Sequence, residues 1–327
     1  PSPEPSPTSA PRQVEILIDT FGIPHIYASS DTDLFFAAGY QMASDRLYQM
    51  EGLRRFALGR SAEILGSDAL VLDVLSRGFS IKGWGQKNCE AMEGSDPEGA
   101  ALLKAWVGGI NHFVGEVNAG DAPLPFGFGP EHLDFQPEAW DWRDSCVILE
   151  GAGYALDMTL QFELALAFLY GLYPEAMEAI EVLKPALPVY SLPPEERPKA
   201  GLPPAPSSSA PQGKSPLIAL LESGRITPQG LIQGIQAFHR LQAANGSNNW
   251  AVDGRFTDTG RPMLAGDPHL SFSFFGAPYP LHLNSKEGGG SFDVGGFAFP
   301  GTPGIAIGFN DSLIWSPTSA FGDVMDL

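Results

Sequence analysis

The chain is organised around one short stretch, Ala244-Asn245-Gly246-Ser247-Asn248-Asn249-Trp250-Ala251-Val252. Glycine, asparagine and serine are typical turn residues, so these nine residues by themselves favour a polar turn between a helix and a strand. The alternative is that the protein cuts its own Gly246–Ser247 bond, which would leave Ser247 as a new N-terminus with a hydroxyl and a free amine. The surrounding sequence has to decide between a turn and a cleavage site.

The composition indicates a globular protein that does not bind polyanions. The chain has 327 residues, of which 43% are apolar and 11% aromatic, so it can bury a large core in two or three domains. Its formal net charge of −19 argues against nucleic acid and anionic membrane surfaces as partners. No apolar run reaches the roughly 18 residues that a membrane-spanning helix needs, so we expect none.

Several common catalytic and metal-binding motifs are missing from the sequence. The two cysteines, Cys89 and Cys146, form neither a CxxC pair nor a Cys/His cluster, which argues against a zinc site. They could form one disulfide or remain two buried thiols, and both alternatives stay open. A GxSxG elbow, an HExxH helix, a P-loop and a dinucleotide fingerprint are absent, which argues against the enzyme classes that depend on them.

Changes in composition divide the chain into four parts. Residues 1–13 are predicted to be a disordered tail, because proline recurs there. Residues 14–182 open with a strand at 14–19 and are mostly helical in pattern. Residues 183–246 indicate a linker, with its prolines concentrated at 183–216 and a short helical run at roughly 217–243. Residues 247–327 show the pattern of strands, and their abrupt end leads us to expect a truncated β-rich part.

The strongest helix signal lies between Ser30, which can cap the helix start together with Asp33, and Gly59, which can end it. Apolar residues recur at helical spacing, at Leu34, Phe35, Ala38, Met42, Leu47, Met50, Leu53 and Ala57. The same stretch carries Asp45, Arg46, Gln49, Glu51, Arg54 and Arg55. A solvated face is the favoured interpretation of these polar side chains. Further helices are predicted at 97–118 and at 141–172, the latter interrupted near Gly151.

After Ser247, alternating residues predict a β-hairpin and further strands. The first strand covers 249–253, a turn lies at 257–260, and the return strand covers 262–266. Other strands are predicted at 290–299, 304–309 and 312–316. The hairpin can bring His269 alongside Ser247, although a structural role is the favoured interpretation for His269 considered by itself.

Several separate motifs follow one another along the chain. They are Asp19-Thr20-Phe21-Gly22-Ile23-Pro24-His25-Ile26-Tyr27-Ala28, Ala43-Ser44-Asp45-Arg46-Leu47-Tyr48-Gln49-Met50-Glu51, Pro137-Glu138-Ala139-Trp140, Gly246-Ser247-Asn248-Asn249-Trp250, Asp267-Pro268-His269-Leu270 and Trp315-Ser316-Pro317-Thr318-Ser319. In this order they resemble the penicillin acylase family of N-terminal-nucleophile hydrolases, which includes penicillin, cephalosporin and acyl-homoserine-lactone acylases. The resemblance covers most of residues 14–327, apart from the proline-rich linker.

The resemblance implies an α+β fold with the αββα sandwich core of Ntn hydrolases. Residues 14–182 would be a mostly helical α-chain segment, residues 183–246 an excised spacer, and residues 247–327 the start of the β chain. The α and β chains of one precursor would form a heterodimer. Ser247 would hydrolyse the amide of a small N-acylated substrate, with its own α-amine as the base and without an organic cofactor.

The resemblance also assigns roles to individual residues. His269 would position or tune the Ser247 amine, and the backbone N–H of Ser319 would stabilise the oxyanion, with a second donor beyond Leu327. The acyl pocket would be lined by Tyr154, Leu156, Leu270 and Ile307. A structural Ca²⁺ would be bound by Glu163, Asp323, the carbonyl of Met325 and Asp326.

We therefore expect a periplasmic or secreted acylase of penicillin-type β-lactams or acyl-homoserine lactones. Phe309 stands where members of the family commonly have a histidine, before the asparagine matching Asn310, and this departure weakens the case for phenylacetyl specificity. One alternative is a quorum-quenching acylase that acts on acyl-homoserine lactones specifically. Another alternative is an inactive fragment or an unprocessed precursor with only a binding or folding role.

Overall fold

The computed structural model describes residues 14–129, 135–156, 246–269 and 278–318, together with the isolated residue Gln229. Its α-helices are α1 Asp31–Leu58, α2 Ala62–Leu65, α3 Leu70–Gly78, α4 Ile81–Ser95, α5 Pro97–Ala119 and α6 Asp144–Leu156. Its strands are β1 Val14–Ile18, β2 Pro24–Ala28, β3 Gly246–Val252, β4 Met263–His269, β5 Tyr279–Asn284, β6 Asp293–Ala298, β7 Ile307–Phe309 and β8 Ile314–Trp315. The tail predicted at residues 1–13, and the predicted linker apart from Gln229 and Gly246, lie outside the described residues.

The described strands form two sheets. The larger sheet has the strand order β1-β2-β5-β6-β7-β8, and the smaller one is the β3–β4 hairpin. β1 and β2 pair antiparallel, and β2 then pairs parallel with β5. The parallel β2–β5 pair is therefore the place where the N-terminal and C-terminal parts of the chain join one sheet. The helices and strands together confirm the predicted α+β class.

Helix α1 begins and ends where the sequence predicts. Its start is capped by Ser30, whose Oγ accepts a hydrogen bond from the backbone N–H of Asp33 at 3.2 Å and donates one to the Asp33 carboxylate at 2.7 Å. Gly59 ends the helix in the left-handed conformation, with φ of +67°, which glycine adopts without a Cβ penalty. The predicted apolar stripe is buried, except for Leu53, which is partly buried.

Helices α1 and α5 pack closely because each presents a glycine to the other. A Cβ on Gly39 would overlap the carbonyl oxygen of Trp106, and a Cβ on Gly109 would overlap that of Phe36. The helix predicted at 97–118 is thus confirmed as α5, and its buried apolar residues form the core with α1 and the sheet. Trp106 is only 1% exposed at this contact.

The two cysteines form a disulfide between α4 and α6. Cys89 and Cys146 are bonded to each other, which decides the alternative that the sequence left open. The interruption predicted near Gly151 is wrong, because α6 is continuous there. Gly151 instead allows close packing, since a Cβ would lie 2.9 Å from the Cβ of Ala57 in α1.

The solvated face predicted for α1 is also wrong for four of its six polar residues. Gln49, Glu51, Arg54 and Arg55 are all buried, the last three to 2% exposure or less. They are buried together with acidic partners from other parts of the chain. Arg54 Nη1 lies 3.2 Å from the Asp144 carboxylate, and Arg55 Nη2 lies 2.9 Å from that of Glu138. Buried charges are tolerated when they are paired in this way.

The C-terminal strands agree with the predictions in position but are shorter. Strands β6, β7 and β8 lie within the predicted ranges 290–299, 304–309 and 312–316. The turn predicted at 257–260 is part of a longer connection that contains a 3₁₀ turn at Gly254–Phe256. None of the described helices combines the length and apolar character that crossing a membrane requires.

Candidate active site

The predicted cleavage bond lies at the start of the β3–β4 hairpin. Gly246 is opposite His269, and Ser247 is opposite Pro268 in the antiparallel register. The expected proximity of His269 to Ser247 is therefore present in the backbone. Both residues of the Gly246–Ser247 bond belong to β3 in the uncut chain, and Ser247 is partly buried.

The side chain of His269 contacts two polar neighbours on one face of the hairpin. Its Nε2 lies 3.0 Å from Oδ2 of Asp267 and 3.4 Å from Nδ2 of Asn248. Because successive strand residues point to opposite faces, Ser247 belongs to the other face. In the uncut chain, Asp267 and Asn248 thus hold the His269 imidazole on the face of the hairpin opposite to the Ser247 side chain.

The face that Ser247 shares with Asn249 is covered by the segment that follows β8. Asn249 donates a hydrogen bond from Nδ2 to the carbonyl oxygen of Ser316. Gly266, opposite Asn249, leaves space for the Ser316 side chain, which a Cβ there would overlap. Oδ1 of Asn249 and Oγ of Ser316 are buried and have no hydrogen-bond partner among the described residues. The Ser247 face therefore adjoins unsatisfied polar atoms, which are unusual in a structural core.

The remaining predicted site residues do not all fall within the described parts of the chain. Those outside are Leu270, Ser319, Glu163, Asp323, Met325 and Asp326. Leu156 is the last residue of α6, and only its backbone is described. The described residues contain no group of three or more His, Cys, Asp or Glu side chains placed to hold a metal ion. The predicted roles of these residues stay predictions.

Two predicted pocket residues lie on elements other than the hairpin. Tyr154 is buried on α6, with its ring stacked on Phe79 at a centroid distance of 5.6 Å and its hydroxyl 3.3 Å from the Phe79 carbonyl oxygen. Ile307 pairs with Phe297 in the six-stranded sheet. The hairpin thus brings together Gly246, Ser247 and His269, whereas Tyr154 lies on α6 and Ile307 on β7.

Asn248 and Asp267 were not predicted from the sequence as partners of His269. Strand alternation alone could have indicated Asp267, because it lies two residues before His269 and therefore on the same face. Asn248 required the register of the hairpin, which places it opposite Asp267. A one-residue shift in register would have moved it to the other face.

Comparison with known proteins supports the same family as the motifs. The chain is 34% identical over 320 residues to penicillin acylase 2 proenzyme from Pseudomonas sp. (strain SE83), covering 98% of this chain and 37% of that protein. It is 28% identical to acyl-homoserine lactone acylase QuiP from Pseudomonas aeruginosa, covering 97% of this chain and 34% of that protein. It is 27% identical to penicillin G acylase from Escherichia coli, covering 96% and 40% of the two chains.

The chain spans 34–40% of the length of these three relatives. The family model of penicillin amidase matches residues 13–327, which includes every element described above. The family predicted from the motifs is therefore confirmed: the chain belongs to the penicillin amidase family.

Proposed function

We propose that the protein carrying this chain hydrolyses the amide bond of small N-acylated molecules, with Ser247 as an autoproteolytically exposed N-terminal nucleophile. The observation that carries the proposal is the position of Gly246–Ser247 at the start of β3, across from His269 on β4. Penicillin acylase 2 proenzyme and acyl-homoserine lactone acylase QuiP, which this chain resembles, are named as acylases.

The first step would be cleavage of the chain by Ser247. Its hydroxyl attacks the carbonyl carbon of Gly246, the peptide C–N bond breaks, and an ester joins Gly246 to the Ser247 oxygen. Water then hydrolyses the ester, so that Gly246 ends in a carboxylate and Ser247 begins with an amine. A glycine before the scissile bond suits this step, because it adopts backbone angles that other residues avoid.

The second step would be attack on the substrate amide. The α-amine of an N-terminus has a pKa of roughly 7.7–8.0, so near neutral pH part of it is unprotonated and can accept the Ser247 hydroxyl proton. The serine oxygen takes the acyl group, the amine product leaves with a proton, and water releases the acid. In this scheme the backbone N–H of Ser319 stabilises the oxyanion, and Asp267 and Asn248 hold His269 beside the new N-terminus.

Further parts of the proposal concern cofactor, compartment and substrate. The predicted Ca²⁺ ligands Glu163, Asp323, Met325 and Asp326 lie outside the described residues, and no step above depends on the ion. The Cys89–Cys146 disulfide supports an oxidising compartment, in line with a periplasmic or secreted protein. Penicillin-type β-lactams and acyl-homoserine lactones are both proposed substrates, with Tyr154 and Ile307 in the acyl pocket.

The proposal is tested by replacing Ser247 in the whole protein. The wild type should appear in a mass spectrum as two chains, one of which begins at Ser247, and should release acids from acyl amides. Ser247→Ala should remain one chain and lose activity. The matched control is Ser95→Ala, because Ser95 is an exposed serine at the end of α4 whose hydroxyl bonds only locally, to the Ala91 carbonyl.

Two results would overturn the proposal. One is a Ser247→Ala protein that is still cut and still active. The other is a wild-type protein that never divides, which would support the alternative of an unprocessed precursor with a binding or folding role. Once processing is established, hydrolysis rates for a series of acyl-homoserine lactones and penicillins will rank the two proposed substrate classes.

A further inference from the structure

A side-chain hydrogen bond joins the strand of the proposed nucleophile to the segment that follows β8. Asn249 comes two residues after Ser247 and therefore lies on the same face of β3. Its Nδ2 donates to the carbonyl oxygen of Ser316, 67 residues further along the chain. The bond therefore connects the hairpin that begins with Ser247 to the last strand of the six-stranded sheet.

The hairpin is shaped to receive Ser316 at this point. Gly266 is the register partner of Asn249 on β4. A Cβ on Gly266 would overlap both Oγ and Cβ of Ser316, so the serine side chain occupies the space that a side chain at position 266 would need. The absence of a side chain at Gly266 is therefore what allows the Ser316 carbonyl to come within reach of Asn249.

The stability of the folded chain does not explain why these polar residues are here. Oδ1 of Asn249 and Oγ of Ser316 are buried and have no hydrogen-bond partner among the described residues. Buried polar atoms without a partner destabilise a fold, whereas an apolar side chain of similar shape would avoid that cost. The contact is thus better explained by what the bond to the Ser316 carbonyl positions.

The segment that begins at Ser316 transmits this anchoring along the chain. Trp315 donates from Nε1 to the carbonyl oxygen of Ile305 at 3.1 Å, which fixes the residue before Ser316. Pro317 has a fixed φ and restricts Ser316 to extended conformations, so this part of the chain is stiff. Ser319, whose backbone N–H is the proposed oxyanion donor, comes three positions after Ser316 and lies outside the described residues.

We propose that Asn249 is a positioning residue for the oxyanion donor, because its bond to the Ser316 carbonyl aligns the segment that carries the Ser319 N–H with the Ser247 nucleophile. This inference rests on the proposed function and adds to it the residue that aligns nucleophile and donor. A displacement of about 1 Å at such a site can lower a rate by roughly 100-fold. Since an oxyanion donor stabilises the transition state more than the bound substrate, its displacement should lower kcat and leave KM unchanged.

The test is Asn249→Leu in the whole protein, with activity expressed per chain that begins at Ser247. Leucine keeps the branched shape of asparagine but removes both the donor and the unpaired acceptor. We expect kcat to fall roughly 10–100-fold with KM unchanged, while the urea unfolding midpoint stays the same or rises.

The matched control is Asn111→Leu on α5. Asn111 donates to the carbonyl oxygen of Trp140 at 2.9 Å and accepts from its backbone N–H at 2.7 Å, so both of its amide atoms are paired. Asn111→Leu should lower the unfolding midpoint and leave kcat unchanged. A purely structural Asn249 would give this same result.

A second pair of variants tests the contact from its other side. The backbone of Gly266 is not in the left-handed region, so Gly266→Ala changes chiefly the space that Ser316 occupies, and it should lower kcat. Adding Ser316→Gly removes the overlapping side chain but keeps the carbonyl that Asn249 binds, so the double variant should recover most of the wild-type kcat.

Three results would contradict the inference. They are a wild-type kcat for Asn249→Leu, a double variant as slow as Gly266→Ala, and an Asn249→Leu protein that stays undivided while Asn111→Leu divides, since that would assign Asn249 to chain cleavage instead. None of these results affects the role of Ser247, which is tested separately by Ser247→Ala.

Discussion

Glu51 carries a negative charge into a site that water does not reach. It is 1% exposed on α1, and its carboxylate lies 2.7 Å from Nη2 of Arg54. The sequence placed it correctly on a helix but could not show its surroundings. Its cluster is completed by Glu138, which is 83 residues along the chain from Arg55. Helical periodicity describes one element at a time, whereas the burial of a charge depends on residues that only the tertiary fold brings close.

Glu138 gives the same cluster a dependence on pH. Hydrogen bonds from Arg60 and then Arg55 outweigh the opposing effect of burial and lower the pKa of the Glu138 carboxyl from 4.5 to about 2. A lowered pKa in the folded state means that the ion pair stabilises the protein above pH 4.5, the ordinary value, and that this contribution is lost as the pH falls towards 2.

Glu138→Gln should therefore lower the free energy of unfolding by about 1–2 kcal/mol at neutral pH, since partial exposure screens the pair. The difference from the wild type should shrink steadily below pH 4.5. Urea titrations of the wild type and Glu138→Gln at several pH values measure this difference in the free energy of unfolding. Glu93→Gln is the control, because Glu93 is exposed and has Lys104 as its one ion-pair partner in the described part of the chain. If the difference in free energy of unfolding between Glu138→Gln and the wild type stays constant down to low pH, the ionised Glu138 carboxylate is not the source of the stabilisation.

Among the secondary-structure elements, the sequence predicted best those that carry their own boundary signals. α1 has Ser30 at its start and Gly59 at its end, and α5 begins after Asp96, which caps it by accepting a hydrogen bond from Gly99 N–H at 2.9 Å. β5 was not predicted, because its identity as a strand depends on its neighbours β2 and β6.

The contact between α1 and α5 leads to a prediction about two glycines of one helix. Gly109→Ala places a Cβ against the Phe36 backbone, which cannot move without separating the helices. It should destabilise the protein by about 1–3 kcal/mol or more. Gly115→Ala on the same helix meets no atom within 4 Å and should be neutral or stabilise by up to about 1 kcal/mol.

Thermal or urea unfolding of the two variants provides the comparison. Both replace glycine by alanine in α5, so helix propensity changes equally and only packing differs. Similar unfolding midpoints for Gly109→Ala and Gly115→Ala would show that the close approach of α1 and α5 is not required for stability.

For the molecule as a whole, the six-stranded sheet is the feature that would hold the processed protein together. β1 and β2 lie before the proposed cut and β5 to β8 lie after it. The Cys89–Cys146 disulfide lies entirely before the cut, so it does not connect the two parts. At the boundary, Ile26 of β2 pairs with Leu283 of β5, and both are buried. Among the described residues, backbone pairing, apolar burial and side-chain hydrogen bonds, such as the one that Ser285 donates to Asp31, connect the two parts.

This arrangement predicts that unfolding depends on protein concentration only after processing. Two chains that separate on unfolding gain stability with concentration, by about 2.7 kcal/mol for a hundredfold increase, whereas one chain gains none. The processed wild type and uncut Ser247→Ala should therefore differ in how their urea midpoints vary with concentration. Leu283→Ala should lower the urea midpoints of both proteins, because it opens a cavity at the β2–β5 pair that costs about 2–5 kcal/mol. The control is Leu313→Ala, which should leave both midpoints unchanged because Leu313 is exposed. A processed protein whose midpoint does not vary with concentration would show that the two parts stay joined after unfolding, and the heterodimer proposed here would be wrong.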